Sequence, residues 1–355
     1  GAQEAVSLAS LGFVSRLEPV AAFRRGDDQQ AGPQSAASPA VPLFDLFYGP
    51  SSAQLKQISV PALHLMGFTG QGVLVCLLDS GFHKSHPVFR AAHLLAEWDF
   101  VNGDGDVQQN LDDPGDYSDS HGTGTWSAVG GFTPGRLIGP AFRADFILGK
   151  TETDRFERPI EEDYWVAGIE WAESLGADVV SSSLGYTDWY AFRDMDGRTA
   201  VTTRAADRAA DLGVVVVNAA GNERNATWGH IIAPADGFKV IAAGAVDSSG
   251  RISSFSSPGP TSDGRIKPEV CALGVNTWLA GTDNNENPVY RSGSGTSFAT
   301  PLVAGVVALL LEAHPDWTPD DVRAALLATA SRSSSPDNDY GWGIVNALAA
   351  MQYSK

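Results

Sequence analysis

Residues 72–81 read GVLVCLLDSG, an apolar run that ends abruptly at an acidic residue, a serine and a glycine. The run is continuous rather than alternating, which is typical of a strand buried on both faces of a parallel sheet. Four further runs of this kind follow in the chain, at residues 177–184, 213–220, 239–246 and 268–272. Apolar residues at helical spacing over 163–175 and 199–212, each followed by a glycine, predict helices between the strands. This alternation favours an α/β fold with a parallel sheet.

The composition excludes several classes of protein. The chain has 355 residues, of which 43% are hydrophobic and 19% charged, so it can build a large core and is not disordered as a whole. Its 38 glycines and 20 prolines predict many tight turns, which excludes a coiled coil or a helical bundle. The formal charge is 24 − 42 = −18, which opposes nucleic-acid binding and suits a protein released into the medium.

Membrane spans and cysteine-based sites are also not expected. No apolar run reaches the roughly 20 residues needed to cross a bilayer. The longest run is 302–311, at the start of a predicted buried helix. The two cysteines, Cys76 and Cys271, are too few for a disulfide framework or a cysteine zinc cluster, and both lie on predicted strands.

A change in composition near residue 50 predicts three segments. Residues 1–25 combine a short amphipathic helix with an alternating strand. Residues 26–50 are rich in Gln, Ala, Ser, Pro and Asp, which is typical of a linker. Residues 51–355 contain all of the predicted α/β elements and form the main domain.

Four polar residues lie in short motifs that are rich in small residues. They are Asp79 in DSG, His121 in HGTGT, Asn222 in AAGNE and Ser297 in GTSFATP. Taken singly, each has an ordinary explanation as a turn residue, a structural histidine or a helix cap. Active sites of parallel sheets, however, lie at the carboxyl ends of the strands, where these motifs can converge. The buried helix after Ser297 would also direct its dipole and free N–H groups at a reaction there.

The order Asp, His, Asn and Ser, each in its own motif, resembles the subtilisin-like serine proteases, the subtilase family. The resemblance covers roughly residues 71–351 and includes four segments outside these motifs: Gly168–Ala172, Ser183–Gly185, Gly244–Val246 and His314–Trp317. It implies that the domain 51–355 has a three-layer subtilisin-like fold, with a mostly parallel twisted sheet flanked by helices.

The resemblance also implies a role for each residue. Ser297 would be the nucleophile, His121 the general base and Asp79 the group that orients the imidazole. Asn222 would donate to the oxyanion together with the Ser297 N–H. The prediction is a secreted serine endopeptidase that works through an acyl-enzyme. An exopeptidase and a non-catalytic binding module on the same fold are alternatives, whereas His121 and Asn222 exclude the acid-acting relatives, which have carboxylates at both places.

Substrate-binding residues are carried over from the same resemblance. Ser183, Leu184 and Gly185 would form one wall of the pocket for the residue before the scissile bond, and residues 219–221 the other. Neither wall contains an acid, so an apolar or aromatic side chain is expected in the pocket. Ile232 is expected to shorten it.

The rim of the cleft would include a segment that pairs with substrate as an added strand. This segment maps to residues 158–160 and makes Ile160 a substrate-binding residue. Three acids follow it, Glu161, Glu162 and Asp163. They either stabilise the first turn of the next helix, or one or two of them face the substrate and favour basic residues before the cut.

No cofactor is expected to be required, and no residue is assigned to a metal. Calcium could bind, but the tight site usual in the family is expected to be missing, because Val88 stands near the usual aspartate and residues 131–139 are too short. The loop 102–106, NGDGD, is interpreted as a solvated acidic loop, since Val107 stands where an EF-hand requires glycine. His83 and His86 are interpreted as surface residues.

Two covalent details follow from the same family resemblance. Cys76 and Cys271 would lie on well separated strands, so two free, buried thiols are expected. A cis peptide is expected before Pro234, where the family often has one that shapes the substrate pocket.

The expected partners are protein or peptide substrates and the chain's own propeptide. Residues 1–25 resemble the end of a subtilisin-type propeptide, which acts as folding helper and product-like inhibitor, and are otherwise a plain N-terminal extension. Ser297 would cut the chain within residues 26–50. The protein is expected to act outside the cell as a monomer, after loss of a signal peptide, without nucleic-acid or membrane partners.

Overall fold

The computed structural model describes residues 46–108, 119–153, 157–283 and 287–354. The predicted propeptide segment 1–25 and most of the predicted linker lie outside these ranges. All described residues belong to one unit, Ser38–Lys355. Within the described residues the first helical element is a short 3-10 helix at Gly49–Ser51, so the last residues of the predicted linker already belong to the folded body.

The described part of the chain contains a large sheet and two small ones. The strands are β1 (Leu74–Asp79), β2 (His93–Asp99), β3 (Phe132–Thr133), β4 (Leu137–Ile138), β5 (Asp145–Lys150), β6 (Val179–Ser182), β7 (Val215–Ala219), β8 (Ile241–Val246), β9 (Val270–Leu273), β10 (Thr277–Thr282) and β11 (Pro288–Gly293). Seven of them form the large sheet in the order β2-β5-β1-β6-β7-β8-β9, and every neighbouring pair is parallel. The pairs β3–β4 and β10–β11 are antiparallel.

The five strands predicted from apolar runs correspond to β1, β6, β7, β8 and β9. The two strands that the sequence did not reveal are β2 and β5, at one side of the sheet. β2 is the edge strand and mixes exposed and half-buried residues. The apolar run of β5 is only three residues long, Phe146–Leu148, before Gly149 and Lys150.

The helices of the described residues cover both faces of this sheet. They are α1 (Ser52–Gln57), α2 (Val60–Met66), α3 (Asp119–Gly130), α4 (Ile160–Ser174), α5 (Val201–Asp211), α6 (Thr296–Ala313), α7 (Pro319–Thr329) and α8 (Ala347–Met351). Val75 and Leu77 of β1 belong to the core that includes α6, whereas Cys76 and Leu78 belong to a second core with α4 and α5. Since successive strand residues point to opposite faces, such a strand must be apolar throughout. The three-layer α/β fold is confirmed.

Helix α6 is the central helix of the larger core. By length and composition it is apolar enough to cross a membrane, and 78% of that apolar window is buried inside the protein. The apolar run 302–311 therefore packs against the sheet, as predicted for a buried helix.

The strand register brings the carboxyl ends of β1, β6 and β7 to one edge of the sheet. Leu78 pairs with Ser182, and Ser182 pairs with Asn218. Asp79 at the end of β1, Ser183 directly after β6 and Asn222 shortly after β7 therefore leave the sheet side by side.

Two smaller predictions are confirmed. Cys76 and Cys271 are free and buried. Burial raises the pKa of both thiols, so neither is a thiolate nucleophile at neutral pH. The peptide bond between Ala233 and Pro234 is cis.

Candidate active site

Asp79, the last residue of β1, is buried and holds the imidazole of His121. Asp79 Oδ1 lies 2.7 Å from His121 Nδ1 and also accepts the Ser80 N–H at 2.8 Å. Asp79 Oδ2 accepts the Thr125 hydroxyl at 2.9 Å. Because a carboxylate only accepts, the neutral imidazole carries its proton on Nδ1 and leaves Nε2 as an acceptor.

The motif around His121 fastens the start of α3 to the end of β1. A Cβ on Gly122 would lie 2.0 Å from the Gly81 carbonyl oxygen, so only glycine permits this close approach. Thr125, one turn further along the helix, reaches the Asp79 carboxylate. Thr125 is a site residue that was not predicted from the sequence, although a threonine on the same helical face as a candidate catalytic histidine is a signal for it.

Ser297 is the second residue of α6 and is 8% exposed. Its hydroxyl donates to the Ser183 carbonyl at 3.3 Å, and the Ser183 hydroxyl donates to the Ser297 carbonyl at 2.7 Å. These two bonds tie the start of α6 to the segment that follows β6. The free N–H groups and the positive end of the α6 dipole therefore lie beside the serine hydroxyl.

Asn222 follows β7, and Thr296 orients its amide. Asn222 Oδ1 accepts the Thr296 N–H at 2.9 Å and the Thr296 hydroxyl at 3.1 Å. The Nδ2 group is therefore the end that can donate to a ligand. A Cβ on Gly295 would lie 3.8 Å from both Asn222 Nδ2 and Ser297 Cβ, which places the amide beside the serine.

One cleft of about 440 Å³ brings most of the predicted site residues together. It is lined by Ser80, His121, Glu152, Thr153, Glu157, Ser183, Leu184, Gly185, Ala219, Gly221, Asn222, Glu223, Ile232, Thr296 and Ser297. Asp79 lies behind the cleft, under the imidazole. The arrangement combines a hydroxyl, an oriented imidazole and an amide donor, which is the set of groups that nucleophilic acyl transfer needs.

Ile232 fills the space between the two predicted walls of the pocket. A Cβ on Gly185 would lie 2.2 Å from Ile232 Cδ1, and a Cβ on Gly221 would lie 2.8 Å from Ile232 Cγ2. Both glycines therefore touch the same side chain, one from each wall. Ile232 is 8% exposed and lines the cleft, so its branched side chain limits the depth of the pocket.

The prediction that residues 158–160 form an extended, substrate-pairing segment is wrong. Pro159 has helical backbone angles, and Ile160 is the first residue of α4. Backbone bonds from Glu161 to Arg158 and from Glu162 to Pro159 close the turn. A helical turn cannot offer a free row of N–H and C=O groups to a substrate strand. Ile160 is 43% exposed and is not among the residues that line the cleft.

Of the two alternatives for the acids after this segment, a substrate-facing position is wrong for Glu161 and Glu162. Both are buried, at 2% and 4% exposure, and only Asp163 is exposed. Glu161 accepts the N–H groups of Thr153 and Arg158, and so holds the turn before α4.

Glu162 anchors the loop that follows the predicted pocket wall. It accepts the Trp189 indole N–H at 2.6 Å, the Tyr190 hydroxyl at 2.8 Å and the Thr202 hydroxyl at 3.2 Å. Burial and the bond to Glu162 raise the pKa of Tyr190 to about 12. The aromatic residues of this loop thus meet a carboxylate from the neighbouring helix.

Three other acids of the described residues lie at the cleft: Glu152, Glu157 and Glu223. Carboxylate oxygens of Glu152, Glu157 and Glu161 lie within 4.8 Å of one another. Glu161 already accepts two backbone N–H groups, so one of the three carboxylates stabilises the turn before α4.

His83 and His86 are buried, which corrects their interpretation as surface residues. They are 7% and 1% exposed. His86 accepts the Val88 N–H on Nδ1 and donates from Nε2 to the Val289 carbonyl at 3.1 Å. Both ring nitrogens of His86 are therefore occupied, and burial lowers its pKa.

The family's tight calcium site does not fit the residues present. Val88 is buried where the family often has a ligating aspartate. In the acidic loop, Asp106 binds the Lys84 ammonium at 2.8 Å, and Lys84 also lies 2.7 Å from Glu97. The Lys84 ammonium thus offsets part of the negative charge of these two carboxylates.

Comparison with known proteins identifies the family and agrees with the fold. The subtilase family model matches residues 70–343. Subtilisin of Bacillus pumilus is 36% identical over 311 residues, 84% of this chain and 98% of that protein. Subtilisin E of Bacillus subtilis is 35% identical over 311 residues, 84% of this chain and 70% of that protein. The solved structure of MycP1 with its N-terminal propeptide removed has a TM-score of 0.66 at 24% identity, covering 85% of this chain and 97% of that chain, and shows the fold alone.

The fold and the cleft are those of a hydrolase of the serine protease class. The chain belongs to the subtilase family of serine proteases.

Proposed function

We propose that this protease is a secreted endopeptidase in which Asp79, His121 and Ser297 act as a catalytic triad. The observation that carries the proposal is the 2.7 Å bond between His121 Nδ1 and the buried Asp79 carboxylate, in a molecule whose His121 and Ser297 line one cleft. All of these residues come from one chain, so we infer that a monomer is sufficient.

The first step is the attack of Ser297 Oγ on the scissile carbonyl carbon. The hydroxyl turns away from the Ser183 carbonyl and gives its proton to His121 Nε2 as the new C–O bond forms. When the tetrahedral intermediate collapses, the C–N bond breaks and His121 returns the proton to the leaving amine. Water then repeats the sequence on the acyl-enzyme, with His121 as the base, and releases the acid. Asp79 keeps Nδ1 protonated throughout and stabilises the imidazolium.

Asn222 Nδ2 and the Ser297 N–H are the donors to the oxyanion. Thr296 holds the other end of the Asn222 amide, so the donor needs no reorganisation when negative charge develops. In subtilisin, from which the magnitude is taken, loss of the equivalent amide lowers kcat by about 10²–10³-fold.

Covalent labelling of Ser297 tests this function directly. A peptidyl phosphonate should label the folded wild-type protein once per chain, and mass spectrometry of a digest should place the label on Ser297. The Ser297→Ala variant is the blank. Absence of label on folded wild-type protein would contradict an enzymatic role and favour a non-catalytic binding module. Labelling together with cleavage only at peptide termini would favour the exopeptidase.

The pocket supports a preference for small apolar residues before the scissile bond. The Ile232 side chain occupies the space between Gly185 and Gly221, which leaves little room for a large ring. In a peptide library, alanine or valine should exceed phenylalanine at this position, and Ile232→Gly should reverse the order. A preference of the wild-type protein for tryptophan or arginine there would contradict the assignment.

We further propose that activity needs no metal ion. Lys84 supplies the positive charge at the acidic loop, and Val88 offers no ligand. Dialysis against EDTA should leave both kcat/KM and Tm unchanged, and added calcium should not restore or raise either. A fall in Tm on dialysis, reversed by calcium, would show that a calcium site exists.

The N-terminal segment is proposed to be the end of a propeptide that Ser297 removes. MycP1, one of the proteins of the same fold, has an N-terminal propeptide, and secreted relatives such as subtilisin suit the −18 net charge of this chain. Expression with secretion should give a wild-type N-terminus within residues 26–50 and an uncut Ser297→Ala chain. Identical N-termini would contradict self-processing.

A further inference from the structure

Phe298, the residue directly after Ser297, contacts the catalytic imidazole but has no part in the mechanism described above. It lies in the first turn of α6 and is half-buried. Its ring centroid lies 5.7 Å from that of His121, with the two planes tilted by 42°. The general base therefore has the Asp79 carboxylate on Nδ1 and an aromatic ring beside it.

Two glycines provide the space that this ring occupies. A Cβ on Gly124 would lie 3.3 Å from Phe298 Cε1, and a Cβ on Gly293 would lie 2.7 Å from Cε2. Neither glycine has a positive φ, so backbone conformation does not require glycine at either place. Gly124 lies inside α3, where alanine is the better helix former. The ring of Phe298 thus accounts for the absence of a side chain at Gly124, and it does so at Gly293 together with Leu279 Cδ1, which lies 2.8 Å from that Cβ position.

The side of the ring that faces Gly124 is closed by groups that are fixed in place. The Ser127 hydroxyl donates to the Gly124 carbonyl at 2.8 Å and accepts the Ala280 N–H at 2.9 Å, which ties α3 to β10. Leu279 of β10 is buried and reaches within 3.6 Å of the Cβ position of Gly124. Movement of the ring toward α3 and β10 is therefore blocked, which leaves the directions of the imidazole and of the solvent.

We propose that Phe298 is a positioning residue for His121, and that Gly124 and Gly293 are glycines because they must leave room for its ring. The inference rests on the proposed protease function. Ser297 and Phe298 are consecutive on one helical turn, so contact with the ring fixes the position of the imidazole relative to the Ser297 hydroxyl. Asp79 fixes the Nδ1 edge of the His121 imidazole, and the Phe298 ring restricts rotation of the imidazole about the Asp79–His121 hydrogen bond.

The first test is a truncation series at position 298. Phe298→Ala should lower kcat about 10–10²-fold with KM unchanged, because a base displaced by a fraction of an ångström transfers its proton less well. Phe298→Leu, which keeps apolar volume, should recover much of that loss. The rate of phosphonate labelling at Ser297 should fall in the same order, while circular dichroism and Tm check that each variant is folded. Equal kcat in folded Phe298→Ala and wild type would overturn the proposal.

The second test adds the missing side chain on the opposite face of the ring. Gly124→Ala should push the ring toward His121 and lower kcat about tenfold, because a displaced base transfers its proton less well. The double variant Gly124→Ala/Phe298→Leu should be more active than Gly124→Ala alone, because leucine is smaller than phenylalanine and leaves room for the added methyl group. Gly105→Ala is the matched control, since a Cβ there meets nothing within 4 Å. Strictly additive losses would overturn the proposal, whereas an unlabelled wild type would instead contradict the protease function.

Discussion

Asp79 and Glu162 are two buried carboxylates of this molecule with different tasks. They are 1% and 4% exposed, and each accepts several hydrogen bonds from neutral groups. Asp79 binds the imidazole of His121, which can take and release a proton. Glu162 binds an indole and two hydroxyls, which stay neutral at ordinary pH. The surroundings of the two carboxylates are alike, so the partner decides which of them takes part in chemistry.

The comparison also separates activity from stability. The hydrogen bonds of Asp79 orient the base His121, so the loss of these bonds should lower mainly kcat. The donors to Glu162 hold Trp189 and Tyr190 against the molecule, so their loss should appear mainly in the free energy of unfolding.

The largest effect is expected from Asp79→Asn. The amide can donate to the imidazole and then favours the tautomer with its proton on Nε2, which cannot act as the base. The corresponding substitution in chymotrypsin-type triads lowers kcat by about 10⁴-fold, and a loss of this size is expected here. Steady-state kinetics on a peptide substrate measure it, with Tm as the check on folding. A loss below tenfold in a folded variant would mean that Asp79 has no orienting role.

A smaller effect, on stability rather than turnover, is expected from Glu162→Gln. Glutamine offers one acceptor oxygen to the donors of Trp189, Tyr190 and Thr202, and its amide hydrogens face those donors. Leaving a buried donor unpaired costs about 1–3 kcal/mol, which thermal unfolding should detect as a lower Tm. The kcat of the folded variant should stay near that of wild type.

Asp163→Asn is the matched control for this substitution. The residue is the next acid in the chain and is exposed, so its change should fall within about 0.5 kcal/mol. Similar losses at positions 162 and 163 would show that helix-dipole stabilisation, and not the loop anchor, explains the acids.

The smallest effect is expected at Asp236, a third buried carboxylate, which binds the Thr203 hydroxyl and the Gly197 N–H. Burial raises the pKa of Asp236 above its usual range near 4. A carboxyl with a higher pKa in the folded state stabilises the fold most below its unfolded pKa, and this contribution is lost as pH rises through the folded pKa. As the pH rises from 4 to 7, the Tm of the Asp236→Asn variant should therefore fall less than the Tm of wild type. Parallel pH profiles would contradict this.

Much of the fold was readable because buried parallel strands have a strong local signature. The apolar runs gave five of the seven strands in the large sheet, and the motifs placed Asp79, Asn222 and Ser297 at their ends or at the helix start. The edge strand β2 gave no such signal, because one of its sides is in contact with solvent. His83 and His86 show the opposite case: a polar residue type predicts exposure, whereas the ring nitrogens of both residues have hydrogen-bond partners and both side chains are buried.

The sequence by itself determined the chemistry at the strand ends, since a carboxylate, an imidazole, an amide and a hydroxyl in glycine-rich motifs are recognisable residue by residue. Only the tertiary structure decided what the acids near residue 160 do and why Gly124 is a glycine. Burial and contact depend on segments far apart in the chain: the donors to Glu162 come from residues 27 to 40 positions away. The ring beside Gly124 belongs to Phe298, on a helix that forms the other half of the site.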